Sequence, residues 1–332
     1  MRVLDLSQQL PGPYATFLLA GLGAEVTKIE PPAGDAARHL DPEMFEHVNA
    51  GKTSVALDLK TGEGRRRLHA LVRDHDVFVE GFRPGVTARL GCDAATLHEI
   101  RPRLVYCSIS GAGQTGPLAG HPTHDLSLQA MAGVLTGAAD VTRIGVPWVD
   151  LATGSSAALA ITAAWHAGQG CHLDMSMLDA AVAWARVKPS ALEPGPEPTY
   201  GTLHTADGDR VVIALLEDTM WVRLCAALGW TDWAAEPRLA QYRDRRRHAV
   251  EIRDRLERDV ARLSLTEVIA LAEQHDLPLS PADTTADPVA QEQIAGRFPS
   301  GTGRDCLPLP TALADRLPPA PALGRAATSH HR

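Results

Sequence analysis

Short apolar runs rich in β-branched residues recur along the first third of the chain: 2–7 (RVLDLS), 25–30 (EVTKIE), 55–59 (VALDL), 77–82 (VFVEGF) and 104–110 (LVYCSIS). Each has the length and composition of a strand buried in a sheet. Most are separated by segments with helical spacing. Residues 13–22 follow Pro11-Gly12-Pro13, a suitable helix entry. Residues 62–74 carry Leu68, Leu71 and Val72 at helical intervals, and 84–100 open on Pro84-Gly85. Strands alternating with helices predict an α/β fold with a mostly parallel sheet. Ligands of such sheets sit outside the carboxyl ends of the strands.

The pattern continues with helices over 124–138 and 151–167, a strand over 171–177 and a helix from Leu178. The 151–167 segment is packed with Ala, Gly and Ser, which predicts a helix in close contact with its neighbours. Four prolines in 188–199 (KPSALEPGPEPT) mark a stiff linker. Beyond it, 200–206 and 210–215 flank Asp207-Gly208-Asp209, a hairpin signal. Helices are expected at 218–229, 243–262 and 265–274. The predicted organisation is a large lobe over 1–187, the linker 188–199, a small α+β lobe over 200–280 and a C-terminal segment, 281–332.

Composition adds exclusions. The 332 residues are 45% hydrophobic and 22% charged, an ordinary globular balance. A net charge of −8 argues against a nucleic-acid partner. The lysines are only Lys28, Lys52, Lys60 and Lys188, so local anion sites fall mainly to arginine. Five cysteines with no C-x-x-C spacing argue against a disulfide framework or a zinc site. No metal-binding histidine motif, G-x-G-x-x-G, P-loop or G-x-S-x-G elbow is present. The amino terminus reads as a strand, not a signal peptide. No apolar run approaches the roughly 18 residues of a membrane helix. The expectation is a cytoplasmic enzyme without a membrane partner.

Candidate chemistry centres on Asp150, which precedes the 151–167 helix. It reads either as an N-cap or as a base or nucleophile beside amides able to hold an oxyanion. His124 opens the preceding helix, and Glu217 ends the run VVIALLE. Each alone reads equally as a cap or surface residue. Arg83, where a strand meets a helix, and Arg38, in a loop, are candidate anion contacts.

Together these segments resemble the class III CoA-transferase superfamily, which includes the α-methylacyl-CoA racemases. The matching stretches include 11–32 (PGPYATFLLAGLGAEVTKIEPP), 51–68, 77–91, 102–120, 124–135, 146–154 (VPWVDLATG), 173–181 and 200–218. The resemblance implies a Rossmann-like large lobe, a small lobe, a C-terminal return to the large lobe and an interlocked, ring-like homodimer. It implies an acyl-CoA substrate, with coenzyme A as part of the thioester and no permanent cofactor or metal. Asp150 matches the catalytic aspartate. In the transferases that residue forms acyl and CoA intermediates; in the racemases it exchanges the α-proton.

His124 and Glu217 match the histidine and glutamate of the racemases. The leading expectation is therefore a racemase or epimerase of a 2-methylacyl-CoA or related α-branched thioester. Asp150 and His124 would be its bases, Glu217 would orient the histidine, and amides after Asp150 would hold the enolate oxygen. The alternatives are CoA transfer to a carboxylate through Asp150 and a non-catalytic acyl-CoA binder. Arg38 and Arg83 are the expected CoA phosphate contacts, with Lys52 a third. Ala50 stands where the family has arginine, and no glycine-rich covering loop is evident after the linker.

Overall fold

The computed structural model describes residues 1–135, 145–187, 196–283, 288–297 and 317–324. The chain divides into two compact units, Met1–Leu192 with Ser300–Arg332, and Glu193–Pro299. Most of the expected linker, 188–195, lies outside the described residues, as does Cys306. The second unit extends to Pro299, past the expected boundary at 280.

The first unit holds six strands: β1 (Arg2–Asp5), β2 (Glu25–Glu30), β3 (Lys52–Ala56), β4 (Val77–Glu80), β5 (Val105–Ser110) and β6 (Cys171–Ser176). Every pairing is parallel, in the order β3-β2-β1-β4-β5-β6. Its helices are α1 (Pro11–Gly21), α2 (Ala37–Leu40), α3 (Pro42–Asn49), α4 (Gly62–Arg73), α5 (Val86–Leu90), α6 (Ala94–Ile100), α7 (Asp125–Met131), α8 (Trp148–Ala167) and α9 (Met177–Val187). Strand alternation sends Val3, Val77, Val79 and Cys107 into a core with α1 and α8. Leu4, Phe78 and Tyr106 enter a second core with Leu68 and Val72 of α4 and Leu97 of α6. Strands covered on both faces must be apolar on both, which explains the near-continuous runs. The direction of strand order reverses between β1 and β4, the place where such sheets take ligands.

Local differences from the sequence expectation have local causes. β3 runs over 52–56 rather than 55–59, because an edge strand tolerates the polar start Lys52-Thr53-Ser54. The 84–100 segment is two helices, separated at Gly91 with φ 68°. Asp93 then caps α6 by accepting from Thr96 N at 3.1 Å. α3 was not anticipated, although Asp41-Pro42 is a cap followed by an N1 proline, and Asp41 accepts from Met44 N at 3.0 Å. The small residues of α8 serve as expected. A Cβ at Gly154 would stand 2.7 Å from the Pro11 carbonyl oxygen, so α8 meets the first turn of α1 at backbone distance.

A buried ionic network joins Asp5 at the end of β1, Lys28 within β2 and Lys52 at the start of β3. Lys52 Nζ meets Asp5 Oδ2 at 3.0 Å and also donates to Pro13 O and Asn49 Oδ1, each at 2.9 Å. Asp5 accepts further bonds from Thr16 Oγ1 at 2.6 Å and from Ser7 Oγ. Lys28 Nζ meets Asp35 Oδ2 and Ser7 O, both at 2.9 Å. Burial alone would raise the Asp5 carboxyl, but Lys52 and then Lys28 hold it well below the usual range. The network ties the turn after β1 to α1.

Residues 317–324 run back over the β3 edge. Gly51 N donates to Pro318 O at 2.8 Å, Gly324 N to Ser54 Oγ at 3.1 Å, and Leu317 is buried in the α1 core.

The second unit has an antiparallel sheet, β7 (Tyr200–His204), β8 (Arg210–Ala214) and β9 (Leu279–Pro281). Its helices are α10 (Asp218–Ala227), α11 (Thr231–Ala234), α12 (Tyr242–Arg245), α13 (Ala249–Val260), α14 (Leu265–His275) and α15 (Pro288–Arg297). The hairpin turns at Gly208, φ 85°. Trp221, Trp230 and Trp233 form its aromatic centre, with Arg255 4.3 Å above the Trp233 ring. The expected 243–262 helix is interrupted by a 3-10 turn at Arg246–His248. The break follows Arg245, whose buried guanidinium reaches Asp218 Oδ1 at 2.8 Å. Among the described residues no helix is long and apolar enough to cross a membrane, and no side-chain group would hold a metal ion.

Candidate active site

A cavity of about 480 Å³ opens at the carboxyl ends of β1, β4 and β5. Its walls come from the turns that follow these strands: Gln8–Gly12 after β1, Gly81–Pro84 after β4, and Ile109–Gly111 at the end of β5. His121–His124, Pro147 and Asp150 complete one side. Gln9 lines it with φ 65°, a left-handed conformation rare for a residue with a side chain, at a turn fixed from below by the Asp5–Lys52 network.

Asp150 lies in the first turn of α8, not at its cap, because the helix starts at Trp148. The cap is supplied by Asp125, whose Oδ1 accepts from Val149 N at 2.8 Å and Asp150 N at 3.3 Å. Its Oδ2 accepts from Gln129 Nε2 at 2.5 Å. Asp150 is thereby held beside a second carboxylate, and its own carboxylate receives no hydrogen bond among the described residues. Burial, followed by the charge of Asp125, pushes its carboxyl up to about 7.

The same geometry corrects the expected oxyanion site. The amides of Val149 and Asp150 are taken by Asp125, Trp148 N donates to Val146 O at 2.8 Å and Leu151 N to Pro147 O at 3.2 Å. The start of α8 therefore offers no spare amide for an enolate oxygen.

His124 is the N-cap of α7. Ser127 Oγ accepts from its N–H at 2.9 Å and donates to its carbonyl at 2.7 Å, and the side chain is exposed. His124, Asp150 and Arg83 all line the one cavity. Glu217 stands at the N-cap position of α10 in the second unit without a side-chain capping bond, is exposed, and is not among the residues lining this cavity.

Two expected phosphate contacts are not placed there. Arg38 forms a two-pronged pair with Glu30, at 2.8 and 2.7 Å, gives a further bond to Pro321 O at 3.1 Å and covers the Phe45 ring. Lys52 is buried, with its ammonium spent on Asp5, Pro13 and Asn49. Sequence reasoning also missed Gln8, Gln9, Met44 and His121 as cavity residues. Only His121 left a signal, three positions before His124.

A model of CoA-transferase family III matches residues 1–298. The acetyl-CoA:oxalate CoA-transferase of Acetobacter aceti is 34% identical over 322 residues, covering 89% of this chain and 83% of the relative. The succinate–glutarate CoA-transferase of Agrobacterium fabrum is 33% identical over 331 residues, covering 90% and 82%. A solved Mycobacterium tuberculosis protein, Rv3272, superposes with a TM-score of 0.85 at 30% identity over 98% of this chain and 96% of its own. Both named relatives are transferases, so the similarity favours the transferase expectation over the racemase one.

Proposed function

The chain belongs to CoA-transferase family III and is an enzyme, and on that premise we propose that it moves CoA from an acyl-CoA thioester to a free carboxylate through Asp150. The observation that carries this reading is the Asp150 carboxylate itself. It lines a cavity at the switch point, half-buried, with no donor among the described residues quenching its lone pairs, so its ionised form is a strengthened nucleophile.

In the proposed cycle an Asp150 oxygen attacks the thioester carbonyl carbon. The tetrahedral intermediate collapses, the C–S bond breaks and CoA leaves as thiolate, giving a mixed anhydride. The thiolate then attacks the Asp150 acyl carbon, releasing the donor carboxylate and leaving CoA as a thioester on Asp150. The acceptor carboxylate attacks that carbonyl, and the expelled thiolate closes the cycle on the acceptor's acyl carbon. New acyl-CoA departs and Asp150 is regenerated.

Arg83 is the proposed CoA phosphate contact. Named relatives act on oxalate and glutarate, and Arg83, His121 and His124 around this cavity suit a short dicarboxylate acceptor. Exposed Leu159, Trp184 and Val187 on α8 and α9 support a homodimer, which we propose is interlocked. Free thiols at Cys92, Cys107, Cys171 and Cys225 support a cytoplasmic setting.

The test is to incubate the enzyme with acyl-CoAs and short dicarboxylates, then trap with borohydride and map the peptide. Expected are transfer and a reduced adduct at Asp150. His124 in the same cavity favours α-proton exchange as a second reading. Deuterium entering Cα without an acceptor, and without any adduct, would establish that reading instead.

The pH profile is a second check. Only ionised Asp150 attacks, so kcat/KM for the donor should rise with pH through a midpoint of about 7 and then level. Asp125→Asn removes the neighbouring charge and should move that midpoint down. An unshifted wild-type midpoint near 4, the ordinary range for aspartate, would contradict this environment.

A further inference from the structure

Arg83 reaches the cavity from a turn, residues 81–85, that belongs to neither helix nor strand. The turn is exposed at Gly81 and Arg83, while Phe82 between them packs partly buried against the second core. A polar hold on the turn comes from the last residue of β4. Glu80 is 2% exposed, and its Oε2 accepts from Phe82 N at 2.7 Å. The Ser108 hydroxyl, directly opposite Glu80 in register on the neighbouring strand β5, favours the charged form of that carboxylate. Ser108 Oγ in turn lies 2.9 Å from His172 Nε2 on β6.

Ser108 has a single proton. Directed at Glu80, that proton would leave Oγ to accept from His172 Nε2, 2.9 Å away. His172 is itself held edge-on against the Tyr106 ring at 5.1 Å. Three adjacent strands thus bring His172, Ser108 and Glu80 together at the Phe82 amide. Among the described residues no cation faces Glu80; burial, and then Asp174 across the sheet, push its carboxyl up. A buried carboxylate without a cation is costly for the fold, and here its bond to the Phe82 amide is spent on geometry at the rim of the cavity.

We propose that Glu80 is a positioning residue for CoA binding, holding the Phe82–Arg83 turn so that Arg83 stands at the cavity, with Ser108 and His172 orienting its carboxylate. The inference rests on the reading that this cavity takes CoA, and it is tested by binding rather than turnover. Calorimetric titration with CoA is made on the wild type, Glu80→Leu, Glu80→Gln, Arg83→Ala and the double variant Glu80→Leu/Arg83→Ala. Glu80→Leu should weaken CoA by about tenfold, while Glu80→Gln, whose amide oxygen still accepts from Phe82, should stay within about threefold. On the Arg83→Ala background Glu80→Leu should add nothing, since a turn without its arginine has nothing to present.

Wild-type affinity in Glu80→Leu, or effects that multiply in the double variant, would overturn the proposal. If Glu80→Leu fails to fold, Ser108→Ala is put through the same cycle. It should weaken CoA by about threefold with Arg83 present and not at all without it, and independence from Arg83 would again overturn the idea. Wild-type protein that binds CoA but transfers nothing would overturn the transferase reading and leave this one standing. No CoA binding by the wild type would overturn both.

Discussion

Asp150→Asn is expected to lower kcat for acyl transfer by at least about a thousandfold while leaving the chain folded. The substitution keeps shape and volume and exchanges a carboxylate for an amide, which does not attack a thioester at neutral pH. Asp150's backbone N–H remains on Asp125, so α8 keeps its cap. The change also removes a charge that burial and Asp125 both disfavour, given a carboxyl raised to about 7. Thermal stability near pH 8 should therefore hold or rise. That combination, activity gone and stability unharmed, separates a nucleophile from a structural cap. The decisive measurement is single-turnover release of CoA thiol with mass analysis of the protein. Turnover within tenfold of wild type, or a covalent adduct elsewhere, would remove Asp150 from the mechanism.

Lys52→Met is expected to destabilise the first unit by about 3–5 kcal/mol, the usual consequence of stranding a buried charge. Asp5 would lose its nearest cation while staying buried, and Pro13 O and Asn49 Oδ1 would lose a donor. Adding Asp5→Asn should recover much of the loss, because the remaining partner is then neutral. Denaturant midpoints read both effects. The acid response has a definite sign. Asp5's folded value lies below its ordinary 3.8, so its contribution is complete above that pH and fades as pH falls below it. In Lys52→Met that acid-labile contribution shrinks. CoA affinity in the surviving folded protein should change little, and a large selective loss of affinity would restore Lys52 as a ligand contact.

The strands were legible because a parallel sheet covered on both faces demands apolar β-branched runs, and β4 and β5 are such runs. β3 was misplaced by three residues because its first half is polar and lies at the edge. Asp150 and His124 were found through resemblance, and the structure adds that they line one cavity. What the sequence could not reveal was partnership. Arg38 and Lys52 looked like free cations, but Glu30 and Asp5 neutralise them from 8 and 47 residues away. Asp125 was visible beside His124, yet nothing local said that it caps a helix starting 23 residues later. That one contact moved the expected oxyanion donors out of reach and added to the burial that raises the Asp150 carboxyl. Arg83, placed by its position at a strand end, lines the cavity.

The strap at 317–324 has a consequence for assembly on the ribosome. The first unit is begun first and finished last: β3 emerges early, but its outer edge stays unsealed until the 193–299 segment has been made. Throughout that interval the nascent chain presents an open strand to anything that pairs with strands. If two copies interlock as proposed, the threading has to happen inside the same interval, before Pro318 and Gly324 dock. The strap is thus a clasp whose timing, and not only whose strength, decides what is enclosed.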